Sequence, residues 1–272
     1  MGLDMMETHK HKRLNVSLVI PAYNEERYLN AVLDSVVAQS IMPDEVIVVD
    51  NNSTDDTGAI AKSYKFVKLV KEAHQGKGYA SHRGFLTAKG ELIARIDADT
   101  VLQPNWVETA LNYFDDHHEV AAITGKCYFY DFPAKRLLSA LQAFAYQDLQ
   151  GLISGAPTLW GSNMVIKKTA WNDVAANQAV PAINEDIDLS LKLHRSGYLV
   201  KRLTNLVASV SLLRGQHSLR RAYHYLKPWP KTYKDNGMSI KAYFIWVLKN
   251  IVLVTSIFMI IIYRLVPRSK SD

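Results

Sequence analysis

The segment Glu45-Val-Ile-Val-Val-Asp-Asn-Asn-Ser-Thr-Asp-Asp-Thr57 joins a short apolar run to residues that commonly cap helices. Such a run is typical of a strand buried on both faces, and Thr54-Asp-Asp-Thr57 predicts the start of a helix. The order recurs on either side, with predicted strands at 16–20, 66–70 and 92–96 and predicted helices at 28–37 and 78–86. This alternation predicts an α/β fold, built as a mostly parallel sheet with helices on both faces.

Length and composition place the chain among folded domains of enzyme size. The 272 residues are 48% hydrophobic and 21% charged, which excludes a disordered tail, a collagen-like fibre and a disulfide-stapled mini-protein. One cysteine, Cys127, cannot form an internal disulfide. The net charge of +6 favours an anionic partner, such as a phosphate or a lipid surface, and does not by itself indicate nucleic-acid binding.

Polar residues gather where the predicted strands end, at 21–25, 50–52, 75–78 and 97–99. Ligands of a parallel αβ sheet bind beyond the carboxyl ends of its strands, so four such fragments on one edge indicate a binding site. Each fragment alone also fits a helix cap or a turn. Asp97 and Asp99 alternate along extended chain, so both carboxylates can converge on a hard cation.

Several ordered motifs resemble those of family 2 inverting glycosyltransferases of GT-A fold, over about residues 14–198. They are Ile20-Pro-Ala-Tyr-Asn-Glu25, Val48-Val-Asp-Asn-Asn-Ser-Thr-Asp55, Gly76-Lys-Gly78 and Asp97-Ala-Asp99, followed by Trp160-Gly-Ser-Asn-Met164 and Asn184-Glu-Asp-Ile-Asp-Leu189. The resemblance implies a GT-A, Rossmann-like sheet and transfer of a sugar from a UDP- or GDP-linked donor. The acceptor would be a hydroxyl or phosphate, lipid-linked or part of a glycan.

The resemblance also implies a role for each matched residue. Asp186 would be the general base and Glu185 would shape the acceptor site, although an acidic pair also suits the first turn of a helix. Asp99 would bind a divalent cation, Mg²⁺ or Mn²⁺, on the donor diphosphate. The implied donor contacts are Pro21, Ala22, Tyr23, Asn24, Glu25, Asp50, Asn52, Gly76, Lys77, Asp97 and Ala98. The implied acceptor-side residues are Gly161, Ser162 and Asn163. His217 and Arg220 are candidates for further diphosphate contacts, although His217 also fits a metal ligand or a surface histidine of a basic helix, and Arg220 also fits the phosphate of an anionic lipid.

One departure from the family pattern bears on the product. Processive polysaccharide synthases of this family carry a Gln-x-x-Arg-Trp motif, whereas here Gln216 and Arg220 stand at a different spacing without the tryptophan. This departure predicts transfer of a single sugar. Two other functions stay open: a catalytically silent protein that binds nucleotide sugars, which the intact acidic residues disfavour, and a nucleotidyltransferase, which the Pro-Ala-Tyr-Asn-Glu end of the first strand disfavours.

The C-terminal region is almost wholly apolar over residues 242–263. Twenty-two helical residues would extend about 33 Å, enough to cross a hydrocarbon core of about 30 Å. Lys249 opposes a span, so an in-plane anchor and a soluble core helix are alternatives to the transmembrane helix that we predict at 242–266. Four aromatic residues lie near this region: Trp229, Tyr233, Tyr243 and Trp246. They either line a membrane surface, with an active site that faces the membrane and uses a lipid-linked acceptor, or pack the interior of a subdomain.

These observations divide the chain into four predicted parts. Residues 1–13 form a flexible basic lead-in, 14–215 the glycosyltransferase domain, 216–241 a basic and aromatic membrane-proximal segment, and 242–266 the anchor. The N-terminal residues lack the apolar stretch of a signal peptide. We therefore expect a membrane-associated protein whose catalytic domain is cytoplasmic, where nucleotide sugars are made.

Overall fold

The structure is a computed structural model that describes residues 13–131, 139–141, 143–176, 184–211 and 219–265. Nearly all of the predicted basic lead-in therefore lies outside the described residues. Within the described ranges, eight strands form one sheet in the order β3-β2-β1-β4-β7-β6-β8-β5. The strands are β1 Val16–Ala22, β2 Glu45–Asp50, β3 Val67–Lys71, β4 Leu92–Arg95, β5 Val101–Leu102, β6 Val120–Phe129, β7 Met164–Lys167 and β8 Leu199–Val210.

The direction of the strands changes halfway across the sheet. Strands β1 to β4 pair in parallel, which confirms the βαβ units predicted for the first hundred residues. Strand β7 runs antiparallel to both β4 and β6, β5 runs antiparallel to β8, and β6 and β8 are parallel. The sheet is therefore mixed, because the second half is not built from βαβ units.

Helices connect the strands and cover the sheet. They are α1 Leu29–Val37, α2 Thr57–Ser63, α3 Lys77–Thr87, α4 Trp106–Asp116, α5 Gln150–Ser154, α6 Lys168–Val174, α7 Glu185–Arg195, α8 Leu219–Leu226, α9 Trp229–Asp235 and α10 Ser239–Leu265. A π-helical segment, Phe144–Leu149, leads directly into α5.

Two apolar cores lie on opposite faces of the sheet, because side chains alternate along a strand. Leu18 and Ile20 of β1 belong to the core that includes α1 and α4. Val19, between them, belongs to the other core, which includes residues of α3, α6 and α7. The prediction of helices on both faces is confirmed.

The segment 158–166, whose sequence is also compatible with a strand, is extended over only a short part of its length in the structure. Only Met164–Lys167 is extended and paired, and residues 158–163 form an irregular connection with a turn. Position 161 accommodates only glycine, since a Cβ there would lie 1.4 Å from Arg95 Nη1. A tertiary contact therefore selects the residue at this point of the connection.

Helix α10 occupies the region where the sequence predicts a membrane anchor. No helix of the described part of the chain combines the length and apolar character needed to cross a bilayer, so the transmembrane helix predicted at 242–266 is not supported. The first half of α10 packs on the protein through Ala242, Ile245 and Leu248. Lys249 is 8% exposed, and its ammonium lies 5.9 Å from the centre of the Tyr223 ring.

Asn163 joins three elements in the interior, where its side chain is fully buried. Its amide nitrogen donates to the carbonyl oxygens of Lys126 and Leu206, at 2.9 and 3.0 Å. Its amide oxygen accepts from the Trp106 indole N–H at 2.9 Å. Although the sequence predicts Asn163 on the acceptor side, these bonds make its side chain a link between β6, β8 and α4.

We predict that Asn163→Leu lowers the free energy of unfolding by about 3 kcal/mol, because it leaves buried donors and acceptors unsatisfied. Urea unfolding measures the change. Asn112→Leu, on the exposed surface of α4, is the matched control and should change stability by less than about 0.5 kcal/mol. Equal effects of the two substitutions would contradict this role of Asn163.

Candidate active site

The loops that follow β1 and β2 are bonded to each other. Asn24 and Asn52 both adopt positive φ angles, of 54° and 64°, a conformation that asparagine tolerates better than most residues. The Asn24 amide donates to Ser53 Oγ at 3.1 Å, and the Thr54 amide donates to Asn24 Oδ1 at 2.8 Å. Two loops predicted to contact the donor thus form one connected rim.

Asp50 stabilises the turn after β2 and is 1% exposed. Its Oδ1 accepts from the Ser53 amide at 2.9 Å, and Lys71 Nζ lies 3.2 Å from its Oδ2. Burial by itself would raise the pKa of Asp50, but the bonds from Ser53 and Lys71 outweigh it and hold the pKa below its ordinary value. Asp50 is therefore ionised at the base of this rim.

Asn51 ties the end of β2 to the loop before α3. Its amide nitrogen donates to the carbonyl oxygens of Glu72 and His74, and its amide oxygen accepts from the Gly76 amide at 2.7 Å. Gly76 has a φ of 145°, which favours glycine, and it leads directly into Lys77 at the start of α3. Asn51 is not among the residues predicted for the site, although it stands between two that are.

A cluster of opposite charges lies where β4 ends and α7 begins. Arg95 Nη2 is 2.9 Å from Asp97 Oδ1 and 3.0 Å from Glu185 Oε1. Lys77 Nζ is 3.2 Å from Asp97 Oδ1 and 3.9 Å from Glu185 Oε1. The structure thus brings together residues that the sequence predicts on the donor side and on the acceptor side.

Burial and these charges together shift the pKa values of Asp97 and Glu185 in opposite directions. Burial would raise the pKa of Asp97, but the charges of Arg95 and Lys77 outweigh it and hold the pKa well below its ordinary value. Burial raises the pKa of Glu185 above its ordinary value, and Lys77 and Arg95 oppose that rise without cancelling it. The cluster therefore holds one firmly ionised carboxylate beside one that protonates more readily.

The turn at Gly161 and Ser162 connects Asp97 with Asp186. The Ser162 hydroxyl donates to Asp97 Oδ2 at 2.5 Å, and the Gly161 amide donates to Asp186 Oδ2 at 3.1 Å. Asp186 Oδ1 also accepts from the Ile187 amide at 2.9 Å. The carboxylate of Asp186, predicted as the general base, is therefore held at the start of α7. Its partner Gly161 is adjacent in sequence to Ser162, the partner of Asp97.

Asp99 is 5% exposed and lies near Asp97. Burial and the charge of Asp97 raise the pKa of Asp99 to about 8. A divalent cation would favour its ionised form, and carboxylate oxygens are ligands that Mg²⁺ and Mn²⁺ prefer, so the residues fit such an ion. Within the residues that the structure describes, no group of three or more His, Cys, Asp or Glu side chains is placed to hold a metal ion.

A small cleft with a cavity volume of about 40 Å³ adjoins Glu185 and Asp186 between α3, α6 and α7, and Ser81, His82 and Trp171 are among its lining residues. His217 and the side chain of Arg220 lie outside the described part of the chain, so the structure does not bear on the diphosphate contacts predicted for them.

A protein-family model described as Glycosyl transferase family 2 matches residues 17–174, more than half of the chain. The chain belongs to glycosyl transferase family 2. This confirms the family to which the sequence motifs point. The poly-beta-1,6-N-acetyl-D-glucosamine synthase of Staphylococcus epidermidis is 29% identical over 203 residues, which are 68% of this chain and 47% of that protein. The chain thus spans about half the length of this curated relative.

Solved structures of other glycosyltransferases share the fold. The mannosyltransferase PcManGT of Pyrobaculum calidifontis, in complex with GDP-Man and Mn²⁺, superposes with a TM-score of 0.65 at 20% identity, covering 95% of this chain and 77% of its own. The TarS 1–349 fragment of S. aureus, in complex with UDP-GlcNAc, gives 0.58 at 18% identity, covering 79% and 66%. This family 2 chain therefore has the GT-A fold.

The raised pKa of Asp99 predicts how stability depends on pH when no metal is bound. The folded protein keeps the Asp99 proton up to about pH 8, whereas the unfolded chain releases it near the ordinary aspartate pKa of 3.8. The Asp99 contribution to stability is therefore full below the unfolded value and falls by about 1.4 kcal/mol per pH unit as the pH rises towards 8.

Asp99→Asn should remove this pH dependence, because asparagine does not titrate. Urea unfolding in a chelator, from pH 5 to pH 9, compares the wild type with Asp99→Asn and with Asp115→Asn, an exposed control on α4. Parallel pH curves for all three proteins would contradict the raised pKa.

Proposed function

We propose that this protein transfers a single sugar from a nucleotide sugar to an acceptor oxygen, with inversion at the anomeric carbon. The observation that carries the proposal is the contact network that joins Asp97, at the end of β4, to Glu185 and Asp186, at the start of α7. In a family 2 chain, this network supports one site that serves both a donor and an acceptor.

The proposed reaction is one displacement. Asp186 takes the proton of the acceptor hydroxyl as its oxygen forms a bond to the anomeric carbon, while the bond from that carbon to the diphosphate oxygen breaks. The leaving group is the nucleoside diphosphate. One carboxylate base suffices for inversion, and a covalent intermediate is not required.

The leaving diphosphate carries negative charge that the site must balance. Asp99, with Asp97, would hold a divalent cation, which supplies charge neutralisation to the leaving group when it is bound. Lys77 is the other candidate, since its side chain is 40% exposed and its ammonium stands at the N-terminus of α3. The Mn²⁺ of the PcManGT complex supports a divalent cation here.

The donor is tested directly with a panel that contains UDP-GlcNAc, UDP-Glc and GDP-Man, each with Mn²⁺ or Mg²⁺, with and without polyprenyl phosphate. Release of nucleoside diphosphate is the readout. We expect one donor to be turned over, faster with metal than with chelator. Donor binding without turnover would instead support the silent scaffold, and release of pyrophosphate from a nucleoside triphosphate would support a nucleotidyltransferase.

We predict that Asp186→Asn lowers the rate of transfer by about 10²- to 10⁴-fold, because asparagine cannot accept the acceptor proton. Donor affinity, measured by calorimetry, should stay within about threefold of wild type, because Asp186 acts on the acceptor. Asp115→Asn is the matched control and should leave the rate unchanged. Unchanged transfer by Asp186→Asn would remove the base assignment.

We further propose that α10 attaches the protein to an anionic membrane surface, with the catalytic domain in the cytoplasm. The face of α10 turned away from the protein is apolar and open: Ile240 is 79% exposed, Phe244 53%, Ile251 56% and Val254 65%. Their spacing of 4, 7 and 3 residues places them along one side of the helix. An apolar face of this kind suits the boundary between headgroups and acyl chains.

Positive charge next to α10 favours an anionic lipid surface, over a second copy of the chain, as the partner of its apolar face. Lys227, Lys231 and Lys234 are exposed on α9 and the turn before it, next to α10. The polar-tipped rings of Tyr243 and Trp246 are 65% and 51% exposed, and such rings favour headgroup level. Attachment there would bring the site near a lipid-linked acceptor.

We predict that Phe244→Glu together with Ile251→Glu abolishes sedimentation with phosphatidylserine-containing vesicles, because both charges would face the acyl chains. Leu86→Glu, at a residue 51% exposed on α3, is the control and should bind as wild type does. Binding by wild type should be weaker to pure phosphatidylcholine and at high salt. Undiminished binding by the double variant, or a dimer in solution that covers this face, would contradict the proposal.

A further inference from the structure

Arg95 is a charged residue at the end of a buried strand. The other residues of β4 are Leu92, Ile93 and Ala94, and Arg95 itself is 1% exposed. Arginine keeps its proton in proteins, so its charge is permanent and must be compensated where it is buried. The contacts of this side chain therefore determine where it can lie.

One nitrogen of the guanidinium bridges two carboxylates that are distant in sequence. Nη2 lies 2.9 Å from Asp97 Oδ1 and 3.0 Å from Glu185 Oε1. Asp97 is two residues beyond Arg95, just after the end of β4. Glu185 is the first residue of α7. The bridge thus connects the end of β4 to the start of that helix.

The other end of the guanidinium lies against the backbone of Gly161. A Cβ built on Gly161 would be 1.4 Å from Arg95 Nη1 and 3.1 Å from Asp186 Oδ2. The Gly161 amide donates to the same Asp186 oxygen. Arg95 therefore packs against the same residue, Gly161, whose amide binds the carboxylate of Asp186.

We propose that Arg95 is a positioning residue, which fixes the first turn of α7, and with it Asp186, relative to Asp97. The inference rests on the proposed function, since it gives Asp186 the role of base. Lys77 also approaches both carboxylates, but it is 40% exposed and can turn towards a phosphate. Arg95 has less freedom, because its side chain is enclosed, with Nη2 bonded to the two carboxylates and Nη1 packed against Gly161.

Two variants disturb the bridge by different means. Arg95→Met removes the charge and both bonds but keeps an unbranched chain. Gly161→Ala changes no charge and places a methyl group where Nη1 lies. We expect each to lower kcat by about 100-fold, the cost of misplacing a catalytic group by about 1 Å, with the donor KM within about threefold. The kcat of the double variant should be about as low as that of either single variant, because both substitutions remove the same interaction.

Arg95→Lys provides a conservative variant. Its ammonium keeps the charge but, without a planar fork, holds the two carboxylates less rigidly, so its kcat should lie between those of wild type and Arg95→Met. Arg83→Met, at an exposed position on α3, is the matched control and should leave kcat unchanged. Arg95→Lys and Gly161→Ala carry the test if Arg95→Met does not fold.

Hydrogen–deuterium exchange of peptides that cover residues 184–190 tests the positioning without any substrate. Exchange of the first turn of α7 should be faster in Arg95→Met and Gly161→Ala than in wild type or Arg83→Met. If wild type turns over no donor, the proposed function fails, and this measurement still decides whether Arg95 fixes α7. Wild-type exchange in both variants, or additive losses of kcat in the double variant, would overturn the inference.

Discussion

Carboxylates of like charge lie close together at one edge of the sheet, and this constraint shapes the rest of the site. Like charges repel one another at this distance, and carboxylates lose hydration when they are buried. Two cations, Arg95 and Lys77, contact both Asp97 and Glu185 and so offset that repulsion. The opposite pKa shifts of Asp97 and Asp99 follow from this arrangement, because the cations lie beside one carboxylate and leave the other with less compensation.

The mixed direction of the sheet supplies the other half of the site. Because β7 runs antiparallel to β4, the chain enters β7 beside the end of β4, and the turn at Gly161 and Ser162 lies next to Asp97. An all-parallel sheet would bring only the amino ends of helices to this edge. The reversal lets one backbone turn contact both Asp97, just after β4, and Asp186, in the first turn of α7.

Helix α10 shows how one apolar sequence serves two surroundings. Its inner face, with Ala242, Ile245 and Leu248, is part of the protein core, and Lys249 is enclosed beside Tyr223. Its outer face is equally apolar and exposed. Hydropathy along the chain sums both faces, so the sequence indicates a membrane span, whereas the packing buries one face of the helix and leaves the other exposed.

The sequence by itself determined the βαβ half, the family and the acidic motifs, because strand and helix periodicity and short motifs are local properties of the chain. Only the tertiary structure decided the reversal of β7, the interior place of Asn163 and the bridge made by Arg95. Each depends on residues far apart in sequence, such as Arg95 and Glu185, which lie 90 positions from one another. In the sequence, only the position of Arg95, two residues before Asp97, indicates part of this bridge. The contact with Glu185 depends on tertiary packing.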